Sequence, residues 1–279
     1  MPPPASLITR PDLRTLLSTL RLPVLGAPMR KVSGPDLVVA QCRAGVLGAF
    51  HALNAHPPQE LERWLTVIAA GCGTAPYGVN VSLHPSNERR NADLAQCEAH
   101  GVPVVITSMR PPGAIVRQVR AYGGIVLHQA LTVDHAMRAV DAGADGIIAV
   151  THGSGGHGGQ ANPFALVNEI RSFYEGPLGL SGCIAHGKDI LAARAMGCDF
   201  VSMGTAFITA AESLASDRYR RGVLDASLQD VLAQAMVPHA DTADDILPGH
   251  GVGGVQESLA VEQLIDQWAE EYVAARRML

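Results

Sequence analysis

Short apolar runs alternate with helix-length amphipathic segments almost to the end of the chain. Strand-like runs fall at Leu22–Gly26, Val46–Ala49, Gly78–Val81, Val104–Thr107, Ile125–His128, Gly146–Val150, Leu178–Ser181 and Phe200–Met203. The segments between them predict helices over Pro35–Arg43, Gln59–Ala70, Glu88–Ala99, Ala114–Arg120, Val133–Ala142, Phe164–Phe173 and Lys188–Met196. The strands are apolar without strict alternation, which is expected when both faces of a sheet are covered. Regular alternation of strand and helix implies a parallel sheet, and eight such units match an α/β (β/α)8 TIM barrel. An open doubly wound sheet is the alternative; it requires a reversal of strand order that sequence does not show.

After the eighth strand the pattern loosens. Ala211–Met236 reads as helix, Val237–Leu247 as loop and Gln256–Arg277 as a C-terminal helix. Leu259, Leu264, Ile265, Trp268 and Tyr272 recur there at helical spacing, a stripe suited to core contact. The reading is a single domain over residues 1–279, with residues 211–249 a shortened, lid-like helical and loop insertion after the last strand.

Composition narrows the function. An apolar share of 47% and a charged share of 17% suit a buried core, and aromatics at 4% leave it to aliphatic side chains. A net charge of −5 without a basic stripe argues against nucleic acid, and no apolar run reaches membrane-spanning length. The N-terminus lacks the blocks of a secretion signal. Five scattered cysteines with no C-x-x-C pair suit a reducing cytosol, so a cytoplasmic location is expected.

The candidate chemistry gathers at strand C-termini, where barrels of this kind place their sites. The first strand ends in Gly26-Ala27-Pro28-Met29, the third in Asn80-Val81-Ser82, the fifth in His128-Gln129, the seventh in Ser181-Gly182-Cys183 and the eighth in Gly204-Thr205. The sixth runs into Thr151-His152-Gly153-Ser154-Gly155-Gly156-His157-Gly158-Gly159-Gln160, whose glycines allow close approach of backbone to a ligand and whose histidine titrates near neutrality. Glycines after the last two strands suit a phosphate held on backbone N–H groups. The G-x-G-x-x-G spacing from Gly153 lacks an acid at the end of the next strand, which a dinucleotide site requires. His152 and His157 have no companion ligand motif for zinc, and no G-x-S-x-G elbow supports a serine hydrolase. His51, His84 and His128 fall near strand ends and could line the mouth, although any one of them is more often a neutral structural or surface group.

Taken together, Gly26-Ala27-Pro28-Met29, Gly78-Val79-Asn80-Val81, Ala142-Gly143-Ala144-Asp145-Gly146, Gly155-Gly156-His157-Gly158, Met203-Gly204-Thr205-Ala206-Phe207 and Gly249-His250-Gly251-Val252-Gly253 resemble the FMN-dependent nitronate monooxygenases, a family that includes flavin enoyl-ACP and quinone reductases. The resemblance implies FMN at the barrel mouth. Ala27, Pro28 and Met29 would lie against the isoalloxazine, and Asn80, Ser82 and Gln129 would hydrogen-bond ring and ribityl chain. Gly155, Ser181, Gly182, Gly204 and Thr205 would hold the phosphate or the chain leading to it, with His157 as catalytic base and no metal. The implied reaction is oxidation of nitronates or nitroalkanes by O2. NAD(P)H-dependent reduction of an enoyl thioester or quinone is the alternative within the family, and a flavin-free phosphate-binding lyase or isomerase is the alternative outside it. Small molecules are the expected partners, and a homo-oligomer is left open. Two departures stand out: several members carry lysine where this chain has Gln129, and many have a longer segment than Glu212–Gly249 over the flavin.

Overall fold

The computed structural model describes residues 12–156, 158–236 and 247–278. It opens with a helix that the apolar pattern did not single out, α1 (Leu13–Ser18), capped by Asp12, whose carboxylate accepts from Thr15 N at 2.9 Å. Its buried face, Leu13, Leu16 and Leu17, belongs to the same apolar cluster as the barrel interior. Leu13 presses on Gly146, where a Cβ would meet Leu13 Cδ2 at 2.6 Å, so α1 plugs the end of the barrel at which the strands begin.

The strands are β1 (Val24–Gly26), β2 (Gly48–His51), β3 (Tyr77–Ser82), β4 (Val104–Ser108), β5 (Ile125–Ala130), β6 (Gly146–Val150), β7 (Leu178–Ser181) and β8 (Phe200–Met203). All pair in parallel, in the order β1-β8-β7-β6-β5-β4-β3-β2. A parallel bridge between Leu25 and Leu47 joins the two ends, with Gly26 N donating to Leu47 O and Leu47 N to Val24 O, both at 2.9 Å. The sheet therefore closes on itself in chain order, which excludes the open doubly wound alternative. The helices between strands are α2 (Pro35–Arg43), α3 (Glu60–Cys72), α4 (Arg90–Ala99), α5 (Gly113–Ala121), α6 (Val133–Asp141), α7 (Pro163–Arg171) and α8 (Gly187–Ala195).

Alternation along each strand sorts residues into lumen and outer face. Leu25, Leu47, Ala49, Val104, Ile106, Ile125, Leu127, Ile148, Val150 and Phe200 fill the lumen as one cluster. Their strand neighbours Val79, Val81, Val105 and Val126 pack outward against the helices. The same parity places Asn80, Ser82, Ser108, Gln129, Ser181 and Ser202 on the inner face, toward the strand C-termini. The lumen thus passes from apolar to polar as it approaches its mouth.

Beyond β8 come α9 (Thr205–Ile208), α10 (Asp217–Asp225), α11 (Leu228–Met236) and α12 (Val261–Arg276). The single helix expected over 211–236 is thus broken. Ser216 caps α10 by accepting from Tyr219 N, and Ser227 and Asp230 cap the start of α11, Ser227 N donating to Asp230 Oδ2 at 2.8 Å. The last helix starts at Val261 rather than Gln256, where the Glu212 carboxylate accepts from Val261 N. Leu264, Ile265 and Trp268 are buried as expected, and Trp268 meets Phe207 edge-on with centroids 5.4 Å apart. Most of the loop expected at Val237–Leu247 lies outside the described residues. Among the described residues no helix is long and apolar enough to cross a membrane.

Candidate cofactor and active site

The end of β1 is tied to both neighbours. Ala27 N donates to Met203 O at 2.8 Å, and Met29 lies beside β8, since a Cβ on Gly204 would fall 3.1 Å from Met29 Sδ and 3.3 Å from Ala27 Cβ. Ser33 turns the loop, donating to Ala27 O at 3.2 Å and accepting from Met29 N at 3.0 Å. Across the mouth Asn80 is buried and donates to Ile106 O at 3.2 Å, which leaves its amide oxygen free to accept. Ser82 Oγ accepts from His84 N, and Asn87 Nδ2 donates to Ser82 O at 2.9 Å. Gln129 is half-buried, and its amide makes no hydrogen bond among the described residues.

The other half of the mouth is a knot of glycine-rich backbone. Thr151 donates to Ser181 O through both N (3.0 Å) and Oγ1 (2.8 Å), and Ser154 Oγ donates to Ser181 Oγ at 3.3 Å. The segment before α12 lies on the same loop: Gly156 N donates to Leu247 O and His250 N to Gly153 O, both at 2.9 Å, while Gly249 N donates to Thr205 Oγ1 at 2.9 Å. Gly155 permits that contact, for a Cβ there would lie 2.6 Å from Leu247 O. Gly182 has φ +122°, a conformation that L side chains rarely adopt, and a Cβ there would strike Thr151 Oγ1 at 2.6 Å.

The titratable groups divide by environment. His51, at the end of β2, is pushed down to about 4, first by burial and then by the Arg30 and Arg89 charges. His250 lies below the usual histidine range through burial and then His152. Burial and then Asp189 raise the exposed Cys183 thiol. His128 is a structural histidine: it points outward, bonding Thr107 Oγ1 at 2.8 Å and His135 on α6 at 2.9 Å, because its neighbour Gln129 takes the inward position. Burial, then His135, lower it to about 3.

The structure brings Ala27, Met29, Asn80, Ser82, Gln129, Ser181, Gly204 and Thr205 to one end of the barrel, with Pro28 in the β1 loop and Gly155 and Gly182 in the backbone knot. His157 lies outside the described residues. Sequence alone marks His51 by its strand end, and Thr151 and Ser154 only as part of the glycine-rich loop, whereas Ser108 and Ser202 were missed. Strand parity would have found Ser108 and Ser202, both two residues beyond a lumen-filling side chain. The donor set fits a flavin mononucleotide. Neutral amides and hydroxyls at one side suit a heteroaromatic ring and polyol. At the other, Gly204 caps a helix whose first N–H groups have no intrahelical acceptor, beside the Gly182 turn, as a phosphate requires. A separate groove of about 440 Å³ opens beside the glycine loop, lined by Leu131, Thr132, Val133, Gly158, Ala161 and Leu166 among others.

A closed (β/α)8 barrel with a polar mouth ringed by glycine-rich turns is the architecture of a barrel enzyme. This chain belongs to the nitronate monooxygenase family, which it matches over residues 12–240, and is an oxidoreductase of that family. It is 29% identical over 258 residues to the nitronate monooxygenase of Pseudomonas aeruginosa, covering 76% of this chain and 73% of that one. It is also 29% identical over 241 residues to (3aS,4S,5R,7aS)-5-hydroxy-7a-methyl-1-oxo-octahydro-1H-indene-4-carboxyl-CoA dehydrogenase of Rhodococcus jostii, covering 84% of this chain and 67% of that one. The same enzyme of Mycobacterium tuberculosis is matched over 65% of its length. Among solved structures, a mutant of FabK from Thermotoga maritima superposes with a TM-score of 0.82 at 26% identity, covering 94% of this chain and 96% of that one.

Proposed function

We propose that the protein is an FMN-dependent oxidoreductase that oxidises alkyl nitronates, and nitroalkanes through their nitronates, with O2. The observation that carries this reading is the nitronate monooxygenase match across residues 12–240, which takes in the polar mouth and the glycine turns. FMN, when bound, supplies a two-electron acceptor that O2 reoxidises.

The chain's own residues do the rest. Ala27, Pro28 and Met29 form an apolar seat for the ring. The free acceptor of Asn80, the Ser82 hydroxyl and the unpaired Gln129 amide orient its polar edge and the ribityl chain. Ser181, Gly182, Gly204 and Thr205 hold the phosphate through N–H and O–H donors, and Gly155 lets the 247–249 segment lie close above them. His157 removes the α-proton of a neutral nitroalkane, a step that a preformed nitronate does not need. Gln129 supplies a neutral amide at its position rather than a cation.

Anaerobic mixing of the yellow protein with a nitronate and, separately, with NADH tests the reading. Bleaching by the nitronate alone is the expected result; bleaching by NADH alone would instead establish the reductase alternative. His157→Asn is expected to keep the flavin and to lose kcat/KM on nitroalkane at least tenfold more than on nitronate. Equal losses would remove His157 from the base role.

A further inference from the structure

The barrel closes at a seam with few ladder bonds, and the proposed flavin seat lies beside it. β1 and β2 are joined by one parallel bridge, Leu25 to Leu47, whereas β3 pairs with β4 from Gly78 to Ser82. β1 ends at Gly26, and the loop beyond it contains Pro28, which has no N–H to extend a ladder. On the β8 side the loop keeps one backbone tie, Ala27 N to Met203 O at 2.8 Å. On the β2 side its polar groups meet a side chain instead of a strand.

That side chain is Asn54, the last residue of the short helical turn Ala52–Asn54 that directly follows β2. Its Nδ2 donates to Met29 O at 2.8 Å and to Ser33 O at 2.9 Å, and its Oδ1 accepts from Lys31 N at 3.0 Å. Both donors and the acceptor of the amide are thus engaged by one loop. Lys31 has φ +59°, in the left-handed region that side chains disfavour, and its N–H is one of the three groups held. Ser33 ties the same loop from within, its Oγ accepting from Met29 N and donating to Ala27 O. Met29 therefore has both its N–H and its C=O engaged by side chains. Its thioether is set beside Gly204, where a Cβ would fall 3.1 Å from Sδ.

The turn that carries Asn54 is itself fixed. His51 Nδ1 accepts from Leu53 N at 3.1 Å, and Ala55 N donates to Ala52 O at 3.1 Å. The first of these bonds needs a neutral imidazole, since a protonated ring has no acceptor. Burial, and then the Arg30 and Arg89 charges, push His51 down to about 4, so the acceptor is present throughout the neutral range. A continuous set of bonds thus runs from the end of β2 through Asn54 to the loop after β1.

We propose that Asn54 is a positioning residue for the cofactor: it holds the backbone of Met29, Lys31 and Ser33 so that Ala27, Pro28 and Met29 present one fixed surface to the flavin ring. A seat built on a loop with a single strand tie needs such a brace, because a binding surface is only as precise as the groups that hold it. Asn54 acts through the loop's backbone. The inference rests on the flavin reading of the mouth, and it is independent of whether a nitronate or NADH delivers the electrons.

Asn54→Ala and Asn54→Asp test it, with Gly187→Ala as a control for loosening at the α8–α12 contact. Asn54→Ala removes all three bonds. Asn54→Asp is nearly isosteric and keeps an acceptor for Lys31 N, but sets a carboxylate oxygen against the carbonyls of Met29 and Ser33; it keeps the measurement available should Asn54→Ala fail to fold. Equilibrium titration with FMN is expected to give a Kd at least tenfold higher in both variants, and the visible absorption band of the flavin that binds is expected to shift. Hydrogen exchange at Lys31 N is expected to accelerate at least tenfold in the Asn54→Ala apoprotein. Gly187→Ala is expected to lower the melting temperature while leaving the Kd and the band at the parent's values. A parent-like Kd and band in the Asn54 variants, unchanged exchange at Lys31, or equal losses in Gly187→Ala would overturn the inference. Asn54-dependent FMN binding in a protein that no nitronate reduces would leave it standing and reject the nitronate reading, whereas a parent protein that binds no FMN would reject both.

Discussion

The imidazoles of His152 and His250 meet edge to face, with ring centroids 4.7 Å apart and planes at 86°. One lies in the loop after β6 and the other in the segment between α11 and α12, so this contact joins the glycine-rich loop to the segment that packs on it. Two backbone bonds support it, His250 N to Gly153 O and Gly156 N to Leu247 O. Such a pair contributes about 0.5–1.5 kcal/mol, nearer the lower value when His152 is exposed. His250→Ala should therefore leave the fold intact while loosening residues 247–255. The expected outcome is faster hydrogen exchange at Gly249 and His250, with global stability lowered by about 1 kcal/mol or less. Exchange rates equal to the parent's would show that the backbone bonds alone hold the segment.

His128 gives the protein an acid limit. Folded, its imidazole is held down to about 3 by burial and His135; unfolded, it titrates near the ordinary 6.5. Above that ordinary value both states are neutral and no penalty exists. Between about 6.5 and 3 the unfolded chain binds a proton that the folded chain refuses, so stability falls as pH falls, by on the order of 1 kcal/mol per pH unit. His135 is shifted in the same direction and adds to the slope. Denaturant titrations from pH 7 to pH 4 should show this decline, and His128→Leu should flatten it even if it lowers stability at pH 7. An identical slope in the variant would reject the assignment.

The α8–α12 contact is expected to be intolerant of any side chain at Gly187. A Cβ there would lie 2.0 Å from Trp268 O and 2.5 Å from Tyr272 N, backbone atoms that cannot rotate away. Gly187 N also donates to Glu271 Oε2 at 2.6 Å. Gly187→Ala must separate the helices and withdraw buried Trp268 from Phe207. Overpacking of this kind costs about 1–3 kcal/mol, readable as a lower denaturation midpoint. A midpoint equal to the parent's would mean that the helices are less tightly seated than their geometry implies.

Which parts of this were legible beforehand follows from what each signal encodes. Apolar runs record burial on both sides, so eight strands and the barrel could be read directly. Short capped helices were harder: α1 is six residues long, and its only cues are Asp12 and the spacing of Leu13, Leu16 and Leu17. The break between α10 and α11 rests on Ser227 and Asp230, polar residues that an amphipathic reading passes over. Facing directions follow from parity: with Leu127 filling the lumen, His128 faces outward to His135 and Gln129 inward.

Gly182 and Gly204 occupy similar places after β7 and β8, yet they should fail differently. Gly182 combines φ +122° with fixed neighbours, Thr151 Oγ1 at 2.6 Å and Ser154 Oγ at 2.9 Å from a built Cβ. Gly182→Ala is thus expected to cost about 1–3 kcal/mol of stability whether or not flavin is bound. Gly204 has ordinary φ, −125°, and its nearest obstacle is the flexible Met29 thioether at 3.1 Å. Gly204→Val should therefore fold, with a loss of about 1 kcal/mol or less, but crowd the N–H groups proposed to hold the phosphate. Equilibrium titration with FMN should then give a Kd at least tenfold higher than the parent's, while the apoprotein's melting temperature changes little. A normal Kd would move the phosphate away from β8, whereas unfolding would assign Gly204 the same conformational duty as Gly182.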